Sequence, residues 1–200
     1  SNLDAKLRDE MRTELKRLQQ RLGVTALYVT HDQAEALEMS DLIAVINKGR
    51  LVQLDTPQNV YFEPRDAFVA GFMGATNLLK GTTAGTVSAG ELGAVKLLDG
   101  RMVSCRFPNA IGAGETAVVS VRPEIIRMSR AGQPAAEGMN SLDGVVMSSG
   151  FLGQTSRYRV DASGVVLEAN ADTAADINPG SNVAISFSVA ETVGLPESAI

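Results

Sequence analysis

The distribution of glycine divides this 200-residue chain into two parts of different backbone character. Sixteen of the 19 glycines lie at or beyond residue 74, and helical periodicity ends at the same point. Glycine supplies the positive φ angles of tight turns and weakens helix interiors, so a stretch punctuated by it favours short strands over helices. The sequence therefore predicts an α/β segment over residues 1–75 and an all-β segment over residues 76–200.

The first segment opens on an amphipathic helix. Six apolar residues recur at steps of four and three, which places them on one helical stripe, and Gly23 follows the last of them as a stop signal. They are Leu3, Leu7, Met11, Leu15, Leu18 and Leu22. Residues 24–30 follow, rich in β-formers and apolar at their centre. They predict a strand buried on both faces, as in a parallel sheet.

Short elements complete this segment. We expect a helix over residues 33–39, a hairpin of strands over 42–46 and 50–55, and two helices that begin at Thr56-Pro57 and at Asp66. Threonine is a good helix cap and proline fits the first helical position, while Pro64 ends the first of these two helices. Strand, helix and strand in succession indicate α/β architecture.

The second segment contains seven short apolar runs separated by turn residues, which predicts a small β-barrel. The runs are residues 95–98, 102–107, 117–122, 144–147, 155–160, 165–169 and 183–189. Residues 129–141 are polar and small, and we expect an exposed loop there. An echo between residues 81–87 and 144–150 is a weak sign of an internal repeat.

Composition narrows the classes of partner. The formal net charge is −5, and the chain has six phenylalanines, three tyrosines and no tryptophan. This argues against nucleic acid as the main partner, which needs a concentrated positive surface and stacking platforms. The single cysteine, Cys105, excludes an internal disulfide and is expected to fill a strand as a small residue.

His31 is the only histidine, and it follows the predicted strand over residues 24–30. Ligands of open α/β sheets bind at such strand ends, where an imidazole can donate to a phosphate oxygen. Taken alone, the position is more often held by a structural histidine. A metal site formed by His31, Asp32 and Glu35 is not predicted, because no second histidine or cysteine lies nearby.

Two strings closely resemble the ATPases of ABC transporters. Ser1 to Asp4 is similar to their D-loop, and residues 28–37 are similar to their switch-histidine segment. Residues 41–45, 48–50 and 56–57 also fit the continuation of the family pattern. The resemblance implies that His31 is catalytic, contacting the γ-phosphate of ATP and helping to hold the attacking water. It implies that Ser1, Asn2 and Asp4 contribute to ATP binding across a subunit interface.

The resemblance is to the back of such a domain only. The 200 residues contain no G-x-x-x-x-G-K-[ST] phosphate loop and no Leu-Ser-Gly-Gly-Gln signature. We therefore expect a remnant of a P-loop ATPase domain, part of a longer parent that uses ATP and Mg²⁺. This chain alone is expected to bind neither and to be inactive, because phosphoryl transfer depends on positioning and charge neutralisation.

The second segment resembles the TOBE domain, a small OB-like barrel appended to importer ATPases. The residues that carry this likeness are 71–79, 120–124, 151–158 and 179–180. The resemblance implies a regulatory and dimerisation domain. Arg122 and Glu124 also fit a local ion pair at a strand end.

The family implies a homodimer on the cytoplasmic face of the cell membrane, working with transmembrane permease subunits and a solute-binding protein. The pattern over residues 151–158 resembles the polyamine (spermidine/putrescine), ferric-ion and sulfate branches, with the sugar branch as the alternative. A different class of function, a stand-alone OB-like binding or regulatory module, is also open.

Overall fold

The computed structural model describes residues 2–132, 136–172 and 177–197. They belong to two compact units, Ser1–Tyr61 and Phe62–Ile200. In the first unit, the predicted helices and hairpin are observed. The elements are α1 (Asn2–Leu22), α2 (Gln33–Met39), β1 (Ile43–Asn47), β2 (Arg50–Asp55) and the start of α3 (Pro57–Phe62).

The strand predicted over residues 24–30 is wrong. The segment has no regular secondary structure, and the side chains of Leu27 and Val29 are 93% and 88% exposed. A strand exists only through hydrogen bonds to a neighbour. Within the described part of this unit, the sheet consists of β1 and β2 alone, paired antiparallel. The described residues therefore do not form the parallel sheet that a P-loop ATPase remnant would show.

The second unit is almost entirely β. It begins with α4 (Ala67–Phe72), which Asp66 caps by accepting a hydrogen bond from Val69 N. The strands are β3 (Asn77–Thr83), β4 (Leu92–Leu97), β5 (Met102–Arg106), β6 (Thr116–Val121), β7 (Arg127–Arg130), β8 (Met139–Phe151), β9 (Thr155–Ala162), β10 (Val165–Asp172), β11 (Asn182–Ser188) and β12 (Val193–Pro196).

β7 and β8 occupy both ends of the segment where an exposed loop was expected, so that prediction is wrong at residues 129–130 and 139–141. Between these strands, residues 131–132 and 137–138 form turns, as expected for a loop. Residues 133–135 lie outside the described part of the chain. The predicted barrel itself is present.

The strands form two sheets with the same internal order. One is a closed barrel in the order β12-β5-β4-β3-β6, and the other is a five-stranded sheet in the order β10-β9-β8-β11-β7. β3 to β6 pair among themselves as β8 to β11 do. Each set takes as its fifth strand the strand that follows the other set in sequence. β12, which follows β11, pairs with β6, and β7, which follows β6, pairs with β11. The weak echo in the sequence thus corresponds to a structural repeat.

Two buried asparagines join the sheets at equivalent positions. Asn77 on β3 accepts from Glu168 N at 2.7 Å and donates to Glu168 O at 2.8 Å. Asn140 on β8 accepts from Ser104 N and donates to Ser104 O, both at 2.8 Å. Each side chain therefore completes the backbone hydrogen bonding of a strand in the other sheet.

Arg122 attaches α4 to the barrel. The Nη1 atom donates to the carbonyl oxygens of Ala70, Gly74 and Ala75, each at 3.1 Å. Ala70 also packs with Val193 and Leu195 of β12. The compact unit therefore begins at Phe62, before the boundary expected near residue 75. The functional roles predicted for residues 1–75 and 76–200 stay a prediction.

Candidate functional site

His31 lies in an exposed turn just before α2. On its N-terminal side, the Thr30 hydroxyl oxygen accepts a hydrogen bond from Asp32 N at 2.9 Å, which closes a small ring around His31. On the other side, Asp32 caps α2 by accepting from Glu35 N at 3.1 Å. We call residues 30–35 the histidine turn. Local hydrogen bonds fix its backbone on both sides of the imidazole.

Glu35 connects this turn to other elements. Its Oε2 atom accepts hydrogen bonds from the Thr30 hydroxyl at 2.7 Å and from the Tyr28 hydroxyl at 3.3 Å. Its Oε1 atom accepts from Arg12 Nη2 on α1 at 3.3 Å. One carboxylate therefore holds the segment before His31, the helix after it and the long N-terminal helix together.

Arg12 is the cation at the centre of three carboxylates. Its guanidinium nitrogens lie 3.6 Å from Asp32 Oδ2, 3.3 Å from Glu35 Oε1 and 3.8 Å from Glu38 Oε2. Only 14% of the Arg12 side chain is exposed. Lys16, one turn further along α1, donates to Glu38 O at 2.7 Å. These contacts attach α2 along one side of α1.

Hydrogen bonds and the nearby guanidinium lower the pKa of two carboxyl groups, those of Glu35 and Asp32. The Thr30 hydroxyl, followed by the Arg12 guanidinium, holds the pKa of Glu35 below its ordinary value of 4.5. The backbone N–H of Glu35 is the main cause that lowers the pKa of Asp32 below 3.8. Because both folded-state pKa values are lowered, the stability that these groups contribute is present above about pH 4.5 and is lost as the pH falls through the folded-state values.

The predicted site residues are only partly covered by the structure. The His31 side chain is exposed and makes no hydrogen bond within the described part of the chain. Ser1 lies outside the described residues, and so do the side chains of Asn2 and Asp4, whose backbones form the start of α1. The structure therefore does not test whether these residues share a site with His31.

The sequence predicts part of this turn: Asp32 is a helix-start carboxylate, which the observed cap confirms, whereas Glu35 is expected on a solvated helix face and instead accepts hydrogen bonds from three side chains. Asp32-x-x-Glu35 is the pattern of a capping box, and it marks a helix start at this place. The role of Arg12 had no local signal, because the residue lies 23 positions before Glu35. Among the described residues, no three histidine, cysteine, aspartate or glutamate side chains come together as metal ligands. Nor is any described helix both long and apolar enough to cross a bilayer.

Comparison with known proteins shows which proteins this chain resembles. The TOBE domain family matches residues 119–195. The chain is 43% identical over 180 residues to the spermidine/putrescine import ATP-binding protein PotA of Acidothermus cellulolyticus, covering 88% of this chain and 46% of the relative. It is 37% identical over 193 residues to the uncharacterized ABC transporter ATP-binding protein YdcT of Escherichia coli, covering 93% and 48%. Along most of its length, the chain is related to the ATP-binding proteins of ABC transporters.

The chain spans about half the length of the curated relatives it matches. Among solved structures, the cytoplasmic molybdate-binding protein ModG superposes with a TM-score of 0.53 at 14% identity, covering 60% of this chain and 95% of ModG. At this identity the likeness shows the fold alone. It agrees with the OB-like TOBE barrel predicted for the second segment.

Proposed function

We propose that this chain forms the C-terminal part of the ATP-hydrolysing, energy-coupling subunit of an ABC importer, in which His31 contacts the γ-phosphate and helps to hold the attacking water. The observation that carries the proposal is the exposed imidazole on a turn whose backbone is fixed on both sides. Similarity to known proteins supports it, since relatives 43% and 37% identical to this chain are named as import ATP-binding proteins.

The residues present fit one part of an ATP site. His31 offers a hydrogen-bond donor, or a positive charge when protonated, to a phosphate oxygen. Ser1, Asn2 and Asp4 at the start of α1 are proposed to face the nucleotide of a second subunit. Bound MgATP supplies the phosphoryl group that is transferred. The phosphate loop and the Mg²⁺ ligands come from outside these 200 residues, so this chain alone is proposed to be inactive.

The remaining parts of the proposal concern the assembly. We propose a homodimer on the cytoplasmic face of the membrane, working with permease subunits and a solute-binding protein. A polyamine is the favoured solute, because the relative matched over 88% of this chain is named for spermidine and putrescine import. Ferric-ion, sulfate and sugar branches are the alternatives.

The test is substitution of His31 in the complete subunit. We expect His31→Ala to lower kcat for ATP hydrolysis by at least about 100-fold, as for loss of a group that acts on the reacting atoms, with nucleotide affinity within about twofold. Arg17→Ala is the matched control, since Arg17 is exposed and pairs with Glu14 on the same helix. Unchanged hydrolysis in the His31→Ala subunit would remove the assigned role.

A stand-alone binding module is the second candidate. It is favoured by one observation: the superposed 60% of this chain accounts for 95% of the ModG chain, so a fold of this kind makes up almost the whole of another protein chain. The gene decides between the two functions. A phosphate loop and signature motif encoded directly upstream of residue 1 support the ATPase subunit, and a start codon there supports the module.

A further inference from the structure

Arg12 lies 19 positions before His31 and on a different element, yet its contacts converge on the histidine turn. Asp32 and Glu35 belong to the turn, and Glu38 follows one helical turn later on α2. Three carboxylates at this spacing line one face of a short helix and repel each other. The Arg12 guanidinium lies among them, and its positive charge offsets this repulsion.

The geometry suits arginine in particular. Nη2 reaches both Asp32 and Glu35, while Nη1 reaches Glu38. A lysine ammonium is a single point of charge and would not span these acceptors in the same way. Since the side chain is only 14% exposed, water competes weakly for the guanidinium.

A continuous path of hydrogen bonds leads from Arg12 to the backbone around His31. Arg12 binds Glu35 Oε1, Glu35 Oε2 accepts from the Thr30 hydroxyl, and the Thr30 oxygen accepts from Asp32 N. The last bond spans His31. Because the imidazole makes no hydrogen bond of its own within the described residues, its direction depends on the backbone that this path holds.

We propose that Arg12 is a positioning residue, which orients His31 toward the reacting phosphate by fixing the histidine turn through Glu35 and Asp32. Its consequence for hydrolysis rests on the proposed function of His31. A residue that only docks α2 on α1 would affect stability, whereas a positioning residue also lowers the turnover of the folded enzyme. The two roles are therefore separable by experiment.

The kinetic test uses the complete subunit with Arg12→Met, Arg12→Lys and, as matched control, Arg17→Met. Arg12→Met is expected to lower kcat about 10- to 100-fold, the range for misplacement of a catalytic group, with KM for ATP within about twofold. Arg12→Lys should recover part of the loss, and Arg17→Met should match the unsubstituted protein. A wild-type kcat for folded Arg12→Met would overturn the proposal.

If the Arg12→Met variant does not fold, the Glu35→Gln variant tests the positioning role instead. This substitution keeps the size of the side chain but weakens the bonds to Arg12 and Thr30 by removing the charge. A reduced kcat with unchanged KM supports the proposal, and a wild-type kcat overturns it. His31→Ala run in parallel separates the two hypotheses: if it leaves hydrolysis unchanged, the proposed function fails, whatever the Arg12 variants do.

A second readout needs no catalysis. His31 is the only histidine in this chain, so its imidazole Cε1–Hε1 signal in a carbon–proton NMR spectrum is unambiguous. Arg12→Met is expected to shift and broaden this signal, and Arg17→Met to leave it in place. An imidazole signal that Arg12→Met does not move would overturn the positioning role independently of the kinetics.

Discussion

Cys105 lies on β5 of the closed barrel and has no exposed surface, and its sulfur lies where β5 and β12 approach closely. A Cβ atom added at Gly194 of β12 would come within 2.8 Å of that sulfur and 2.5 Å of the Phe107 ring. Burial raises the pKa of the Cys105 thiol from an ordinary value of 9.0 to about 12. Burial in the core therefore favours the neutral thiol over the charged thiolate.

This gives a pH dependence of known sign. Because the folded-state pKa is raised, the thiol's contribution to stability is complete below about pH 9 and is lost as the pH rises toward 12. At pH 10 the loss is on the order of 1 kcal/mol. Urea denaturation of the wild type and of Cys105→Ala at pH 7 and pH 10 measures it. The wild type should lose about 1 kcal/mol more than the variant between these pH values; equal losses would contradict the assignment.

Single residues were predictable where the signal is local. Asp66 caps α4 as its place before an apolar run indicates, and Cys105 fills a strand as expected. Arg122 shows the opposite case. Its hydrogen bonds run 47 to 52 positions back along the chain, which no local pattern predicts. The contacts of Arg12 were not predictable for the same reason, since its partner Glu35 lies 23 positions away.

Among the elements, the paired asparagines give a test of the structural repeat. Asn77→Leu and Asn140→Leu each leave the N–H and C=O of one partner residue without its hydrogen bonds, at Glu168 and Ser104 respectively. Each substitution is expected to lower the free energy of unfolding by about 1–3 kcal/mol. The two losses should be similar because the positions are equivalent.

The control for this pair is Asn182→Leu, an exposed asparagine on β11. Urea denaturation at neutral pH compares the three variants. Losses at residues 77 and 140 no larger than the loss at residue 182 would show that the side-chain links between the sheets do not stabilise the molecule.

Helices with caps and strands with alternating apolar residues were predicted well, and the failures have physical causes. The inward positions of β3 are Asn77, Leu79, Gly81 and Thr83, so burial leaves almost no apolar pattern there. β7 is four mostly polar residues, and β12 contains glycine and proline. For residues 24–30 the error is the opposite one: a strand was predicted and none is observed. An apolar run forms a strand only when a neighbouring strand is available.

At the scale of the whole molecule, the two units differ in how well they cover their apolar residues. In the second unit, the closed barrel and the five-stranded sheet enclose one continuous core. The first unit exposes large apolar side chains on α1, in residues 24–30 and on the hairpin. They are Leu7, Met11, Leu15, Leu18, Leu22, Val24, Leu27, Val29, Leu42, Ile46, Leu51 and Leu54. Exposed apolar surface of this extent is typical of association sites.

We therefore expect this chain to dimerise at micromolar concentration, as measured by sedimentation velocity. The double variant Leu15→Ser/Leu18→Ser removes the middle of the α1 stripe. Dissociation of the variant assigns the contact to α1, and a persistent dimer assigns it to another surface, such as the barrels. A monomeric wild type at micromolar concentration would contradict the prediction.

Because the two sets exchange their fifth strands, the closed barrel cannot be completed until the end of the chain has been synthesised. The barrel that begins at residue 77 needs β12, and β12 ends at Pro196, 75 residues after β6 ends at Val121. A ribosome adds about 5–20 residues per second, so β6 waits roughly 4–15 s for its last partner. Over that interval the nascent chain presents an open β-edge, the kind of surface that pairs with other chains. The growing polypeptide is thus most vulnerable to aggregation while its second set of strands is still being synthesised.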